Sequence, residues 1–206
     1  MEKKCRLLKL FFIYIIAIIV GLLIAVLFKG SKVYATVFYL VVIVGLYRYI
    51  KKENIVWRPW LGKANKEGLA RIIVFTTFIL TFTVFVIAVR TAIWKEGITE
   101  DFEFDIFTFL GSCCLAPLTE EFVCRGIIVD ILREKHSNTF TVFVSAIIFY
   151  VIHGDPMNVG AMIFGLLAGW VILKAKSIIP GMIMHLVWNT AIYFLPVIAL
   201  TIANVI

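Results

Sequence analysis

Long apolar runs, separated by short charged blocks, divide the chain into seven predicted helices. About 20 apolar residues cross the hydrocarbon core of a bilayer, and the first run is close to that length. We expect this run to be a retained membrane span, because it is longer than the apolar part of a secretory signal and no small-residue cleavage site follows it. The predicted spans are residues 10–28, 33–47, 72–89, 106–132, 139–153, 159–173 and 178–206.

Composition supports a membrane protein and excludes an ordinary soluble domain. Hydrophobic residues make up 62% of the 206 positions and charged residues only 16%, so the chain lacks the polar residues that would cover a soluble core. The net charge of +7 could indicate nucleic acid, but the basic residues flank apolar runs and form no stripe among polar neighbours. We therefore predict an all-α, polytopic transmembrane helical bundle with membrane lipid, and no nucleic acid, as a partner.

The distribution of basic residues predicts how the bundle lies in the cell membrane. Most of the 20 Lys and Arg residues fall in segments on one side, and such residues accumulate on the cytoplasmic side. This predicts a multi-pass protein with a cytoplasmic N-terminus, a C-terminus outside, and a basic loop at 48–71 on the inner face. Residues 1–104 would supply the first spans and this loop, and residues 105–206 would form the core that carries the chemistry.

Ionisable and amide side chains occur within three of the predicted spans, where each unpaired charge is costly. Glu121 and Arg125 are four residues apart, as are Phe149 and His153, and His185 and Asn189; on a helix each pair shares a face. Glu120 is turned about 100° from Glu121, so we assign Glu121 to the ion pair with Arg125 and leave Glu120 free.

Depth gives a second reason to group these residues. Counted from the inner helix ends at about 1.5 Å per residue, the Glu120, His153, His185 and Asn189 side chains fall in a band about 10 Å thick. Three helices thus bring a carboxylate, two imidazoles and an amide to a similar level, which unrelated polar substitutions would seldom do.

The motifs Glu-Glu-x-x-x-Arg, Phe-x-x-x-His and His-x-x-x-Asn, in this order on successive spans, resemble the CPBP family of intramembrane proteases. This family includes the type II CAAX prenyl endopeptidases and the bacteriocin self-immunity (Abi) proteins. The resemblance implies a helical-bundle protease with Glu120, His153, His185 and Asn189 in its site and with Glu121, Arg125 and Phe149 in support. A membrane-associated peptide or a lipidated, for instance prenylated, protein would be the substrate, in peptide maturation or in self-immunity.

The residues leave two hydrolytic mechanisms open. Glu120, desolvated and away from its cation, is suited to act as general base on a water that His153 helps to hold, while His185 and Asn189 donate to the oxyanion. Alternatively, Glu120, His153 and His185 hold a catalytic Zn²⁺, because two imidazoles and a carboxylate leave one position open for water. No His-Glu-x-x-His motif is present, and we favour the metal-free version.

Two further function classes remain. A proton- or metal-coupled transporter would also place Glu and His near the middle of the bilayer, although the chain has no internal repeat of the kind that many transporters have. A non-catalytic membrane immunity or interaction protein could carry the motifs without using them. Separately, Ala161, Gly165 and Gly169 recur every fourth residue and predict close helix packing.

Overall fold

The computed structural model describes residues 2–27, 33–54, 60, 62, 66–94, 103–153 and 158–203. Within these ranges the chain forms helices and no strands, which confirms the all-α prediction. The helices are α1 (Glu2–Leu27), α2 (Tyr34–Lys52), α3 (Lys66–Trp94), α4 (Ile106–Arg133), α5 (Asn138–Ile152), α6 (Val159–Ala175) and α7 (Ile179–Ala203). Of the predicted loop at 48–71, residues 55–59, 61 and 63–65 lie outside the described residues, as do residue 28 and residues 204–206.

Each predicted span coincides with one helix, but several helices are longer than their apolar run. The α1 helix includes the charged N-terminal residues, and α3 begins six residues before its predicted span. Backbone hydrogen bonding does not stop at the polar flank of an apolar run, because Lys, Glu and Arg are good helix formers. His153 lies just after the last residue of α5, as its C-cap.

Two helices in the described part of the chain, α2 and α4, are long and apolar enough to cross a membrane by themselves. The apolar parts of the other five helices are shorter. The count of seven spans and the orientation of the termini stay predictions. The shorter apolar helices are Phe12–Gly21, Ala70–Phe82, Asn138–Ile152, Val159–Ala175 and Ile179–Leu195.

Polar side chains fix where the helices of the second half begin. The side chain of Asp105 accepts a hydrogen bond from Thr108 N at 2.6 Å at the start of α4. Ser137 and Asn158 accept equivalent bonds at the starts of α5 and α6. Such caps satisfy backbone N–H groups that have no partner within the first helical turn.

Helix α4 contains two π-helical segments, Leu110–Leu115 and Phe122–Ile128, on either side of the α-helical turn Ala116–Glu121. Pro117 follows the first segment, and proline has no N–H and clashes with the carbonyl four residues earlier. The wider π turn accommodates this residue, since Ala116 N–H donates to Gly111 O, five residues back. The helix therefore continues through Pro117 to the two glutamates.

Small residues let the other helices approach the core closely, as predicted for α6. A side-chain carbon on Gly165 would lie 3.0 Å from Ala146 Cα on α5, and one on Gly169 would lie 2.9 Å from Val142 Cγ1. On α4, a side-chain carbon on Gly111 would lie 2.6 Å from Thr36 N of α2. Glycine is thus needed where α4 meets α2, and the contact brings the N-terminal half of the chain against the second half.

Trp60, between α2 and α3, contacts the core. Its carbonyl accepts a hydrogen bond from Ile178 N at 2.8 Å, just before α7, and its indole packs on Gly126 and edge-on to Phe122 at 5.5 Å between ring centroids. The start of α7 and the C-terminal half of α4 therefore both contact Trp60.

Candidate active site

Helices α4, α5 and α7 bring Glu120, His153 and His185 together. Glu120 Oε2 lies 3.8 Å from His153 Nε2 and 3.9 Å from His185 Nε2. The His185 side chain is fully buried and Glu120 is 7% exposed, whereas about a quarter of the His153 side chain is accessible. The convergence expected from helix spacing and depth is present, with one carboxylate oxygen facing both imidazoles.

Hydrogen bonds to the Nδ1 atoms orient both histidine rings. His153 Nδ1 lies 2.7 Å from Phe149 O, and a carbonyl can only accept, so Nδ1 carries the proton. His185 Nδ1 lies 3.2 Å from Glu121 Oε1, which is paired with Arg125, so this Nδ1 also donates. In the neutral rings, both Nε2 atoms then offer a lone pair toward Glu120 Oε2.

Glu121 links the histidine to the buried cation. Arg125 Nη1 lies 3.2 Å from Glu121 Oε1, and neither side chain has exposed surface. Arg125 Nη2 also donates to Gly165 O at 3.2 Å. The expected ion pair is present, and the same carboxylate also holds His185, a second role that helix spacing alone did not reveal.

Aromatic rings frame the site. The Phe149 ring lies 4.4 Å from the His153 ring and 5.4 Å from the His185 ring, and the guanidinium carbon of Arg125 lies 4.3 Å above it. Phe164 packs on His185 at 4.6 Å and stacks on Trp188 at 4.8 Å. These rings restrict the imidazoles to their observed directions; Phe164 and Trp188 were not among the residues predicted from the sequence.

Asn189 lies on α7 and bonds to the backbone of α4. Its Nδ2 donates to Ser112 O at 2.7 Å. Ser112 is five residues before Pro117, which has no N–H to complete the π-helical pattern, so the amide supplies a donor that this carbonyl lacks. One amide hydrogen of Asn189 is therefore engaged and a second remains available.

Tyr39, from α2, completes the surroundings of Glu120. Its hydroxyl donates a hydrogen bond to Glu120 Oε1. Within the described residues, Glu120 Oε2 and His185 Nε2 are buried polar atoms without a hydrogen bond. Such atoms are expensive to bury, which is typical of groups that serve a ligand or a reaction. Tyr39 was not predicted, because nothing in an isolated apolar run signals a partner 81 residues away.

An apolar groove of about 820 Å³ lies beside the site, between α2 and α4. Ile43, Leu46 and Ile50 line it from α2, and Leu118 and Phe122 line it from α4. Lys51 and Asn54 lie at one end, and Thr119, the neighbour of Glu120, also contributes. The groove is thus mostly apolar, and Thr119 brings part of its lining next to Glu120 in the sequence.

The side chains of Glu120, His153 and His185 are of the types that bind Zn²⁺, but in this structure their donor atoms are too far apart to bind the ion. Each Nε2 belongs to a histidine whose Nδ1 is tied to a carbonyl or carboxylate, as is usual for zinc ligands. Tetrahedral bonds of about 2.0–2.1 Å would require donor separations of about 3.4 Å. In the described part of the chain, no three His, Cys, Asp or Glu side chains lie close enough to hold a metal ion. Binding would require the donors to move closer by about half an ångström.

Comparison with known proteins gives a family for the segment that holds this site. The family model described as "Type II CAAX prenyl endopeptidase Rce1-like" matches residues 102–191. No curated protein and no solved structure matches the chain. The matched segment includes all three motifs and leaves out α1, α2 and α3.

Proposed function

Residues 102–191 belong to the CPBP/CAAX protease family, and from this premise we propose that the protein hydrolyses peptide bonds with a water molecule activated by Glu120. The family gives the general class, a CAAX-type intramembrane endopeptidase. The observation that carries the specific proposal is the position of Glu120 Oε2, which lies 3.8 Å from one imidazole Nε2 and 3.9 Å from another.

In the proposed reaction, Glu120 Oε2 removes a proton from a water molecule while the water oxygen bonds to the carbonyl carbon of the substrate. His153 Nε2 has a lone pair because Nδ1 donates to Phe149 O. It accepts a hydrogen bond from the second hydrogen of that water and so orients the water oxygen toward the carbonyl carbon. The carbon–nitrogen bond then breaks, and the leaving amine takes the proton from Glu120. The carboxylate thus acts first as base and then as acid.

His185 and Asn189 are proposed to stabilise the oxyanion formed in this step. His185 can donate from Nε2 when it is protonated on both nitrogens, and Glu121 at 3.2 Å from Nδ1 offsets that charge. Asn189 can donate its second amide hydrogen while the first stays on Ser112 O. Donors fixed before the reaction contribute several kcal/mol when the site excludes water, typically about 3 kcal/mol for one donor.

The alternative uses the same three side chains as ligands. If the donors moved closer, Glu120, His153 and His185 would hold Zn²⁺, which supplies Lewis-acid activation of a bound water. Nδ1 of each histidine would keep its present partner, and Glu121 would then orient a ligand. Because the separations exceed ligand geometry, we favour hydrolysis without metal.

The substrate is proposed to be a membrane-associated peptide or a lipidated protein. The groove beside Thr119 is apolar along most of its length, which suits an apolar segment or a lipid chain near Glu120. Peptide maturation and bacteriocin self-immunity are both roles that such cleavage could serve.

The test compares peptides released from membranes that contain the wild-type chain or Glu120→Gln. We expect Glu120→Gln to reduce cleavage by at least about 100-fold, because the amide cannot act as a base. His153→Ala and His185→Ala should reduce cleavage as well. Asp130→Asn is the matched control, since Asp130 is an exposed carboxylate on the same helix.

The outcomes also separate the other functions. Cleavage by Glu120→Gln at the wild-type rate would refute the role of Glu120 as the base. An immunity phenotype that is intact in all three site variants at equal expression would favour a non-catalytic membrane immunity or interaction protein. Proton or metal flux through proteoliposomes that needs Glu120, without any cleaved peptide, would favour a transporter.

A further inference from the structure

The N-terminal half of the chain contributes a polar side chain to the site, although the family match begins only at residue 102. The Tyr39 hydroxyl donates to Glu120 Oε1, and the ring packs edge-on to Phe38 at 4.9 Å between centroids. The other carboxylate oxygen, Oε2, faces the two imidazoles. The two oxygens of Glu120 therefore have different surroundings.

The packing of α2 on α4 fixes the level of Tyr39. Gly111 on α4 allows the α2 backbone to approach, since a side-chain carbon there would lie 2.8 Å from Ala35 C and 2.6 Å from Thr36 N. The Thr36 hydroxyl donates to Phe107 O of α4. Tyr39 lies one helical turn further along α2, so this contact sets both its depth and its direction.

We propose that Tyr39 is a positioning residue that holds Oε1 of Glu120 and thereby leaves Oε2 as the oxygen that takes the proton from water. This inference rests on the proposed function and assigns part of the catalytic geometry to a helix outside the family segment. A carboxylate can rotate about its last side-chain bond, and that torsion is broad. One charge-assisted hydrogen bond to Oε1 restricts this rotation and keeps Oε2 between the imidazoles.

A purely structural hydroxyl would behave differently. Tyr34 of α2 offers the comparison, because it lies on the same helix as Tyr39 and its ring stacks on Phe38 at 6.2 Å between centroids. Tyr34→Phe and Tyr39→Phe therefore each remove one hydroxyl from a ring that contacts Phe38. Only the second removes a bond to Glu120.

The first experiment measures cleavage by Tyr39→Phe with a peptide that the wild-type chain releases. We expect kcat to fall about tenfold to a hundredfold, the equivalent of one hydrogen bond to a charged group, while KM changes less than about twofold. Tyr34→Phe should keep both constants. An unchanged kcat in Tyr39→Phe, or a KM that rises by the same factor as kcat falls, would overturn the proposal while leaving hydrolysis by Glu120 intact.

The second experiment needs no substrate, so it separates this inference from the proposed function. Melting temperatures are measured for Tyr39→Phe in the wild-type background and in the Glu120→Ala background. We expect Tyr39→Phe to lower Tm by about 2–6 °C in the first and by less than about 1 °C in the second. Tyr34→Phe should act equally in both. Equal effects of Tyr39→Phe in the two backgrounds would refute the hydrogen bond, whatever the protein cleaves.

Discussion

Removing Arg125 alone is expected to destabilise the protein more than removing the charges of both Arg125 and Glu121. The two side chains have no exposed surface, and Arg125 Nη1 lies 3.2 Å from Glu121 Oε1. Arg125→Met keeps a long apolar side chain but leaves the Glu121 carboxylate without its cation. Loss of one member of a buried ion pair costs about 3–5 kcal/mol.

Adding Glu121→Gln removes the stranded charge and keeps a side-chain oxygen that can accept from His185 Nδ1. The double variant still lacks the hydrogen bond from Arg125 to Gly165 O and the contact of Arg125 with Phe149, which together contribute about 2 kcal/mol. The double variant should therefore be more stable than Arg125→Met by about 1–3 kcal/mol. The prediction is that the double variant is the more stable of the two. If the two substitutions acted independently, their losses would add and the double variant would be the less stable one.

Thermal unfolding in one detergent measures the difference. At about 2–4 °C per kcal/mol for a chain of this size, Arg125→Met should lower Tm by about 6–20 °C and the double variant by about half as much. Arg133→Met, at the exposed C-terminal end of α4, is the matched control and should change Tm little. A Tm of the double variant below that of Arg125→Met would refute the view that the pair compensates two buried charges.

Two further results are expected from packing and from the donor spacing. Gly181→Ala should lower Tm by about 2–8 °C, because its side-chain carbon would lie 2.8 Å from Glu121 Oε2 and 2.5 Å from Ile172 Cδ1. The control is Gly160→Ala, whose side-chain carbon would make only ordinary contacts and should leave Tm unchanged. Equal changes of Tm in the two variants would contradict the expected clash at Gly181. A zinc chelator such as 1,10-phenanthroline should leave cleavage unchanged, and inhibition reversed by added Zn²⁺ would instead favour the ligand role of Glu120.

The helices and the site-bearing residues could be predicted because both depend on short-range periodicity. Apolar runs of sufficient length favour helices in a bilayer, and α4 ends within one residue of its predicted span. Spacing of four residues predicted the contact between Glu121 and Arg125 and the contact between Phe149 and His153, whose rings are tilted and not stacked. Comparable depth predicted that Glu120 would meet the two histidines.

Contacts between helices could not be predicted in the same way. The pairing of Tyr39 with Glu120, and of Asn189 with Ser112, depends on how each helix is rotated about its own axis. Spacing within one helix does not determine that rotation. Pro117 did offer one signal, because a proline within a helix leaves carbonyls that need a donor from elsewhere.

The two π-helical segments of α4 have a consequence for how the sequence can change. Each π segment is equivalent to one extra residue within an α-helix, so it shifts the angular phase of every residue that follows. The N-terminal part of α4 can therefore face α2, the middle can face α7, and the C-terminal part can face α5, although no single face of a regular α-helix would point toward all three. Deleting a single residue between 110 and 115 would remove this extra residue and keep the direction of both glutamates, but it would restore the α turn in which the Pro117 ring clashes with the carbonyl four residues earlier.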